Sequence, residues 1–227
     1  MKLTLINKKK VAAQVWSFIF KPDRPFSWKA GQFLHYTLPH ANPDNRKMER
    51  YFTISSAPFE KFVQLTTRIF DKHSSLKDEL SNLKIGNTIL ADGLDGDFIV
   101  ENSEKALVFI AGGIGITPYR AILLDLDHKG VSIKAKLFYM NKDNNFIFKD
   151  ELEALKEKHN DFEIYYFISP LKIDETVIIN KIPNLSKPIF YISGPEPMVE
   201  FYEKLIMTMG IDDKHLKRDF FPGYEWP

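Results

Sequence analysis

Residues 111–120 read AGGIGITPYR, between the apolar run KALVFI and the helical pattern AILLDLDHK. An apolar strand, a glycine turn and a helix start in that order predict a tight strand-to-helix turn at the carboxyl end of a buried strand. Gly112, Gly113 and Gly115 let the backbone turn sharply and lie close to a ligand. Thr117 suits the N-cap, its hydroxyl accepting from a free backbone donor, and Pro118 suits the first helical position, where a missing N–H costs nothing. The remaining amide donors and the positive end of the helix dipole face outward. Such a terminus attracts a phosphate.

The turn is close to the dinucleotide fingerprint G-x-G-x-x-G, with a proline in place of the third glycine. The acidic ribose ligand of that fingerprint belongs about twenty residues further on. There the strand KAKLFYM ends in Asn141-Lys142 instead, so an ordinary Rossmann dehydrogenase is the weaker reading.

Composition narrows the alternatives. The chain has 227 residues, 44% hydrophobic and 14% aromatic, enough for one large domain or two of ordinary size. Thirty acidic residues against 31 basic ones give no electrostatic footprint for nucleic acid or a membrane surface. No apolar run approaches the ~20 residues of a membrane span, and the lysine-interrupted N-terminus lacks the apolar core of a signal peptide. The expectation is a soluble cytoplasmic protein. With no cysteine, there are no disulfides, thiolate zinc sites, cysteine nucleophiles or cysteine-ligated iron–sulfur clusters, and the six histidines show no metal-binding spacing.

The grammar of the chain changes near residue 101. Before it, VAAQVWSFIF, AGQFLHYTL, RYFTI, FVQLTTRIF and NTILADG read as short strands, with one helix around SSLKDELSNLK. That pattern predicts a closed antiparallel β-barrel. After the polar link ENSEK, strands ALVFIAG, KAKLFYM, EIYYFIS and PIFYISG alternate with helices PYRAILLDLDHK, FKDELEALKEK, a helix within TVIINKI, and EPMVEFYEKLIMTM. Alternation of this kind predicts a doubly wound α/β domain, a parallel sheet with helices on both faces. Two domains are expected, residues 1–101 and 102–227.

A second fragment, MERYFTISSAP, lies in the barrel half. Arg50 offers a fork of donors to a pyrophosphate, Thr53 and Ser55 share one face of an extended strand, and Phe52 points the other way. RYFT resembles the flavin signature R-x-Y-S/T of the ferredoxin–NADP(+) reductase superfamily, with Phe52 in the tyrosine place. GGIGITP matches that superfamily's pyridine-nucleotide signature G-G-x-G-x-T-P, and YISGPEPM matches its C-G-P-x-P-M element, with Ser193 in the cysteine place. FSWKAGQF and GLDGDF resemble two further barrel segments of the family, so the similarity covers nearly the whole chain in the family's order.

The resemblance implies FAD bound by the barrel half and NAD(P)H by the second half. Arg50 would hold the flavin pyrophosphate, with Tyr51 beside it, Phe52 along the ring and the Thr53 hydroxyl near the flavin N5 atom. Ser74 and Ser75, ahead of Leu76, resemble the family's phosphate-binding segment at another helix start. Gly112, Gly113, Gly115 and Thr117 would cradle the nucleotide pyrophosphate and ribose, with Gly194-Pro195 nearby. Ser193 would stand beside the nicotinamide, where a serine predicts slower hydride transfer than a cysteine. Asp219 would lie near the flavin and relay a proton, and Tyr224 or Trp226 in the aromatic tail would stack on the exposed ring.

Lys142 is the one cation placed to meet a 2′-phosphate, and it serves equally as a solvated loop charge, so NADH and NADPH both remain open. The acceptor implied is external: a ferredoxin or flavodoxin, with a free flavin, a quinone or another subunit's haem as alternatives. A non-catalytic nucleotide-sensing or docking module of a larger redox complex is the competing reading. It rests on Phe52 and Ser193, the two departures from the signatures.

Overall fold

The computed structural model describes residues 1–45 and 47–221. Its first half is a six-stranded antiparallel sheet of β1 (Lys2–Ala12), β2 (Val15–Pro22), β3 (Phe33–Thr37), β4 (Glu49–Thr53), β5 (Val63–Arg68) and β6 (Thr88–Asp95), in the order β4-β3-β6-β1-β2-β5. The sheet curls until its ends meet along the β4–β5 seam: the backbones bond at the Ile54–Leu65 bridge and from the Ser55 N–H to the Gln64 carbonyl, 2.8 Å, and the Ser55 hydroxyl reaches Thr66 at 2.7 Å. α1 (Ser75–Asn82) plugs one end with Leu76 and Leu80, buried among Phe18, Phe20, Leu34, Tyr36 and Leu65. The barrel is therefore closed at the Ile54–Ser55 end of that seam.

The sequence reading started the first strand at residue 11, whereas the structure starts it at Lys2 and turns it back into β2 through Gln14, held at φ 56°. Two register shifts in the β1–β2 pairing, between Leu5 and Asn7 and between Lys10 and Ala12, break the period-two alternation there. Bulges of this kind hide a strand from pattern reading.

The second half is a five-stranded, wholly parallel sheet ordered β11-β10-β7-β8-β9. Its strands are β7 (Leu107–Gly112), β8 (Ala135–Asn141), β9 (Phe162–Ile168), β10 (Ile189–Pro195) and β11 (Leu216–Phe221). Between them run α2 (Thr117–His128), α3 (Lys149–Lys158), α4 (Glu175–Lys181) and α5 (Glu196–Thr208). Phe109 and Ala111 of β7 face one apolar layer with Tyr119 and Leu137, while Val108 and Ile110 face the other with Phe138 and Phe190. Helices on both faces explain why β7 is buried along its whole length.

β11 corrects an expectation. The sequence shows residues 216–221 as the start of an aromatic C-terminal stretch, but in the structure they pair with β10, Ser193 opposite Asp219. The strand LKRDFF carries three charges in six residues because it lies at the sheet edge, and edge strands lack the apolar run of central ones.

The halves lock through Phe98, whose ring meets Tyr119 and Tyr191 edge-on at centroid separations of 5.5 and 5.1 Å. The Phe98 carbonyl lies only 2.0 Å from where a Cβ on Gly31 would stand, so only glycine allows that approach. Phe59 of the barrel stacks on His128 of α2 at 4.0 Å.

Candidate functional site

Parallel strands end together, and the carboxyl ends of β7 and β10, adjacent at the centre of the sheet, meet beneath the barrel. The glycine turn is tighter than its sequence predicts. Gly113–Ile116 forms a 3-10 turn that runs straight into α2, and Thr117 does not cap it. Its hydroxyl donates back to the Ile114 carbonyl at 3.1 Å, and Gly112, in extended conformation, is the residue at the start of the turn. The reason is the 3-10 turn itself, which already points Thr117 into the helix and leaves the free donors at Gly113–Gly115.

The three glycines do different jobs. A Cβ on Gly115 would lie 2.1 Å from the Ser193 carbonyl, and one on Gly112 would lie 2.3 Å from the Met198 sulfur. Both are bare because β10 and the start of α5 pack against them. Gly113, at φ +52°, is different: a Cβ there would meet nothing closer than the Asn141 side-chain oxygen at 3.9 Å and the Arg68 guanidinium at 4.0 Å. That open cradle, beside a cation and a run of backbone donors, fits a pyrophosphate.

Arg68 ends β5 and belongs to the barrel half. Among the described residues no hydrogen bond or ion pair ends on its guanidinium, which lies 5.7 Å (Cζ) from the Phe70 ring. It is also close enough to Asp143 to help the Asn145 N–H hold that carboxyl below the usual range. Sequence reasoning missed this residue. Its signal was present, a cation at the end of a buried strand, but nothing along the chain links residue 68 to residue 113.

Lys142 follows β8, exposed. The Asn141 amide beside it is taken up locally, donating to the Asp143 and Asn145 carbonyls at 3.1 and 3.0 Å. Asn141 therefore shapes the loop.

Ser193 and Asp219 face each other across β10 and β11, and the serine hydroxyl donates to the carboxylate at 3.2 Å. Ser193 is fully buried. Asp219 keeps some exposure as a residue, but its carboxyl is surrounded by protein, and that burial, with a smaller push from Asp97, raises it to about 7 despite the serine bond.

In the barrel, Arg50 and Phe52 lie half-buried on one face of β4 beside the open seam, and Tyr51 points to the other face, 65% exposed and packed on the His35 ring. Thr53 is buried, and no described residue hydrogen-bonds its hydroxyl. Ser74 caps α1, accepting from the Lys77 N–H at 3.4 Å. Asp44 ties these groups together. Its carboxylate takes the Ser75 N–H at 3.0 Å and the Arg50 guanidinium at 3.4 Å. An anion thus already sits between a helix N-terminus and an arginine fork, which is the donor set a flavin pyrophosphate requires. Tyr224, and Trp226 with it, lies outside the described residues.

Residues 109–204 match the family described as "Oxidoreductase NAD-binding domain". The electron transfer subunit of dihydroorotate dehydrogenase B (NAD(+)) from Streptococcus mutans is 31% identical over 62% of this chain and 54% of that protein. The reductase component of phenol 2-monooxygenase from Pseudomonas sp. (strain CF600) is 26% identical over 88% of this chain and 58% of its own length. The chain thus spans little more than half of either relative. Among solved structures, the FAD/NAD binding domain of nitric oxide dioxygenase from Vibrio cholerae O1 biovar El Tor superposes with a TM-score of 0.82 at 19% identity, covering 97% of this chain and 98% of that one. That likeness is one of fold. No described helix is long and apolar enough to cross a membrane.

Proposed function

We propose that the chain is a flavoprotein reductase of the ferredoxin–NADP(+) reductase kind, drawing hydride from NAD(P)H onto FAD and handing the electrons to an external acceptor; the match to an oxidoreductase NAD-binding domain and the two-domain fold support this reading. The observation that supports this most directly is the approach of barrel Arg68 to Gly113, since it puts a cation of one half over the phosphate cradle of the other. Ser193 at the end of β10 and Thr53 of the barrel are the residues that would meet the nucleotide's reactive end. In this reading residues 1–101 hold FAD and residues 102–227 hold the nucleotide.

FAD, when bound, would supply the chemistry of accepting a hydride and releasing its two electrons one at a time. The chain's own residues bind, orient and handle protons. Arg50, the Ser75 N–H and the α1 terminus would hold the flavin pyrophosphate, in the place the Asp44 carboxylate takes in this structure. Phe52 gives an apolar wall, and the Thr53 hydroxyl is free to bond at the flavin edge. Gly113 and Arg68 hold the nucleotide pyrophosphate. Asp219, protonated up to about pH 7, keeps a proton at the base of the crevice, and Ser193 orients it. Lys142 serves as the contact for a 2′-phosphate if NADPH is the donor.

The acceptor is proposed to be a small one-electron carrier protein of the ferredoxin or flavodoxin kind. The relatives above are named as the electron transfer subunit of one enzyme and the reductase component of another, which suits a reductase whose acceptor is a separate protein. The test is anaerobic reduction of the purified, FAD-loaded protein with NADH and NADPH, followed by its visible spectrum, with candidate acceptors added afterwards. A yellow protein bleached by either nucleotide supports the reading. One that cannot take up FAD, or is not bleached by either, overturns it.

A further inference from the structure

Among the described residues, Arg120 is a buried guanidinium bonded on both edges, and the function proposed above does not use it. It lies in the first turn of α2, three residues beyond Thr117, and its side chain is only 6% exposed. One edge of the guanidinium crosses to the barrel. Nη1 donates to the Ser55 carbonyl at 2.7 Å, and Nη1 and Nη2 grip the two oxygens of Glu60 at 3.0 and 3.3 Å. The other edge stays in its own half, with Nε 2.9 Å from Glu151 of α3 and Nη2 2.7 Å from the same oxygen. The plane lies against the Phe148 ring, 5.1 Å from Cζ.

The acceptors on the barrel side are themselves fixed. Glu60 takes the Ala57 N–H at 2.7 Å, and the Ser55 hydroxyl is held by Thr66 at 2.7 Å and by the Gln64 carbonyl at 3.0 Å. Ser55 stands two residues after Thr53. The route from the nucleotide turn to the flavin strand therefore runs Thr117, Arg120, Ser55, Thr53, with three residues of helix on one side and two of strand on the other. The halves also meet through the Tyr191 hydroxyl, which donates to the Ile99 carbonyl at 2.9 Å, and through the Lys217–Asp97 pair at 3.8 Å, but neither involves α2. Phe98 on Tyr119 and Phe59 on His128 do reach α2, and stacked or edge-on rings tolerate sliding. A two-pronged charged grip plus a backbone bond does not.

We propose that Arg120 is a positioning residue, setting the distance between the nucleotide turn and the flavin strand by pinning α2 to Ser55 and Glu60. This rests on the hydride-transfer reading, and it makes an asymmetric prediction that a merely stabilising ion pair does not. Glu60 and Glu151 both bond Arg120, but only Glu60 lies across the interface.

The test compares Glu60→Gln with Glu151→Gln, alongside Arg120→Lys and Arg120→Met. The chain has no cysteine, so nitroxide labels at Asn82→Cys on α1 and Glu157→Cys on α3, both exposed, report the spacing of the halves without interference. Glu60→Gln should broaden the label distance distribution and slow single-turnover flavin reduction about tenfold or more, since small misplacements of reacting groups cost large rate factors. Nucleotide affinity should stay within about threefold, because Arg120 does not touch the ligand. Glu151→Gln should leave distribution and rate near wild type, and Arg120→Lys should recover part of what Arg120→Met loses. Equal effects from the two glutamate variants, or an unchanged distribution in Glu60→Gln, overturn the proposal. If the wild-type flavin is not reduced by either nucleotide, the hydride-transfer reading fails, and the label distances still decide whether Arg120 sets the spacing.

Discussion

The Ser193 hydroxyl donates to the Asp219 carboxylate at 3.2 Å across the pairing of β10 with β11. This bond pulls the carboxyl toward its charged form, against the burial that drives it toward the neutral one. A serine 26 positions away thereby tunes the carboxyl's titration.

A titration near neutrality follows. The Asp219 carboxyl is raised in the folded protein, so it binds a proton more tightly than in the unfolded chain. Its stabilising contribution is complete below about pH 4 and is lost as the pH rises through about 7. Asp219→Asn, which resembles the neutral form, should remove this slope: its melting temperature relative to wild type should climb between pH 5 and pH 8, by differential scanning calorimetry. The same variant should flatten any break near pH 7 in the rate of acceptor reduction. Parallel wild-type and variant profiles would refute the assignment.

Removing the serine bond has a defined sign. Ser193→Ala takes away the donor that lowers the Asp219 carboxyl, so the break should move to higher pH. Carbonyl-region infrared difference spectroscopy of the titration reads the shift directly. Ser193→Cys, with its weaker donor, should shift it the same way while speeding single-turnover reduction.

The two kinds of glycine separate experimentally. Gly115→Ala sets a Cβ against the Ser193 backbone, which cannot yield, and should cost about 3 kcal/mol of stability, the upper end of overpacking penalties. Gly113→Ala meets open space but a left-handed backbone, so it should cost about 1 kcal/mol and chiefly weaken nucleotide binding. Urea midpoints and nucleotide titrations on both variants check the contrast.

Arg68→Gln should raise the dissociation constant for either nucleotide about tenfold, as loss of one charge-assisted phosphate contact does, and leave FAD content unchanged. Isothermal titration at two salt concentrations reads it, because the lost contact also reduces salt dependence.

Asp44→Asn keeps an oxygen for the Ser75 N–H and removes the charge that occupies Arg50. The pair is partly exposed, so its release is worth about 1 kcal/mol or less. FAD should bind up to about fivefold tighter by fluorescence quenching, whereas Arg50→Gln should weaken it.

What the sequence determined by itself was local. The turn AGGIGITPYR, the strand RYFT and the change from short strands to alternating strands and helices are all contained in runs of neighbouring residues, and each marks a conformation those residues adopt together. The same holds for Ser74 at the head of α1, where cap and apolar stripe are adjacent. Tertiary structure decided whatever depends on distance along the chain. Thr117 loses its cap role because the turn before it is already helical, and Gly112 and Gly115 are bare because β10 lies against them. Asp219 titrates near neutrality because an edge strand carries it into a buried corner. Arg68 and Arg120 acquire their roles only when the barrel folds over the parallel sheet: a guanidinium's partners are set by what the fold brings within a few ångströms, and no pattern of adjacent residues encodes that.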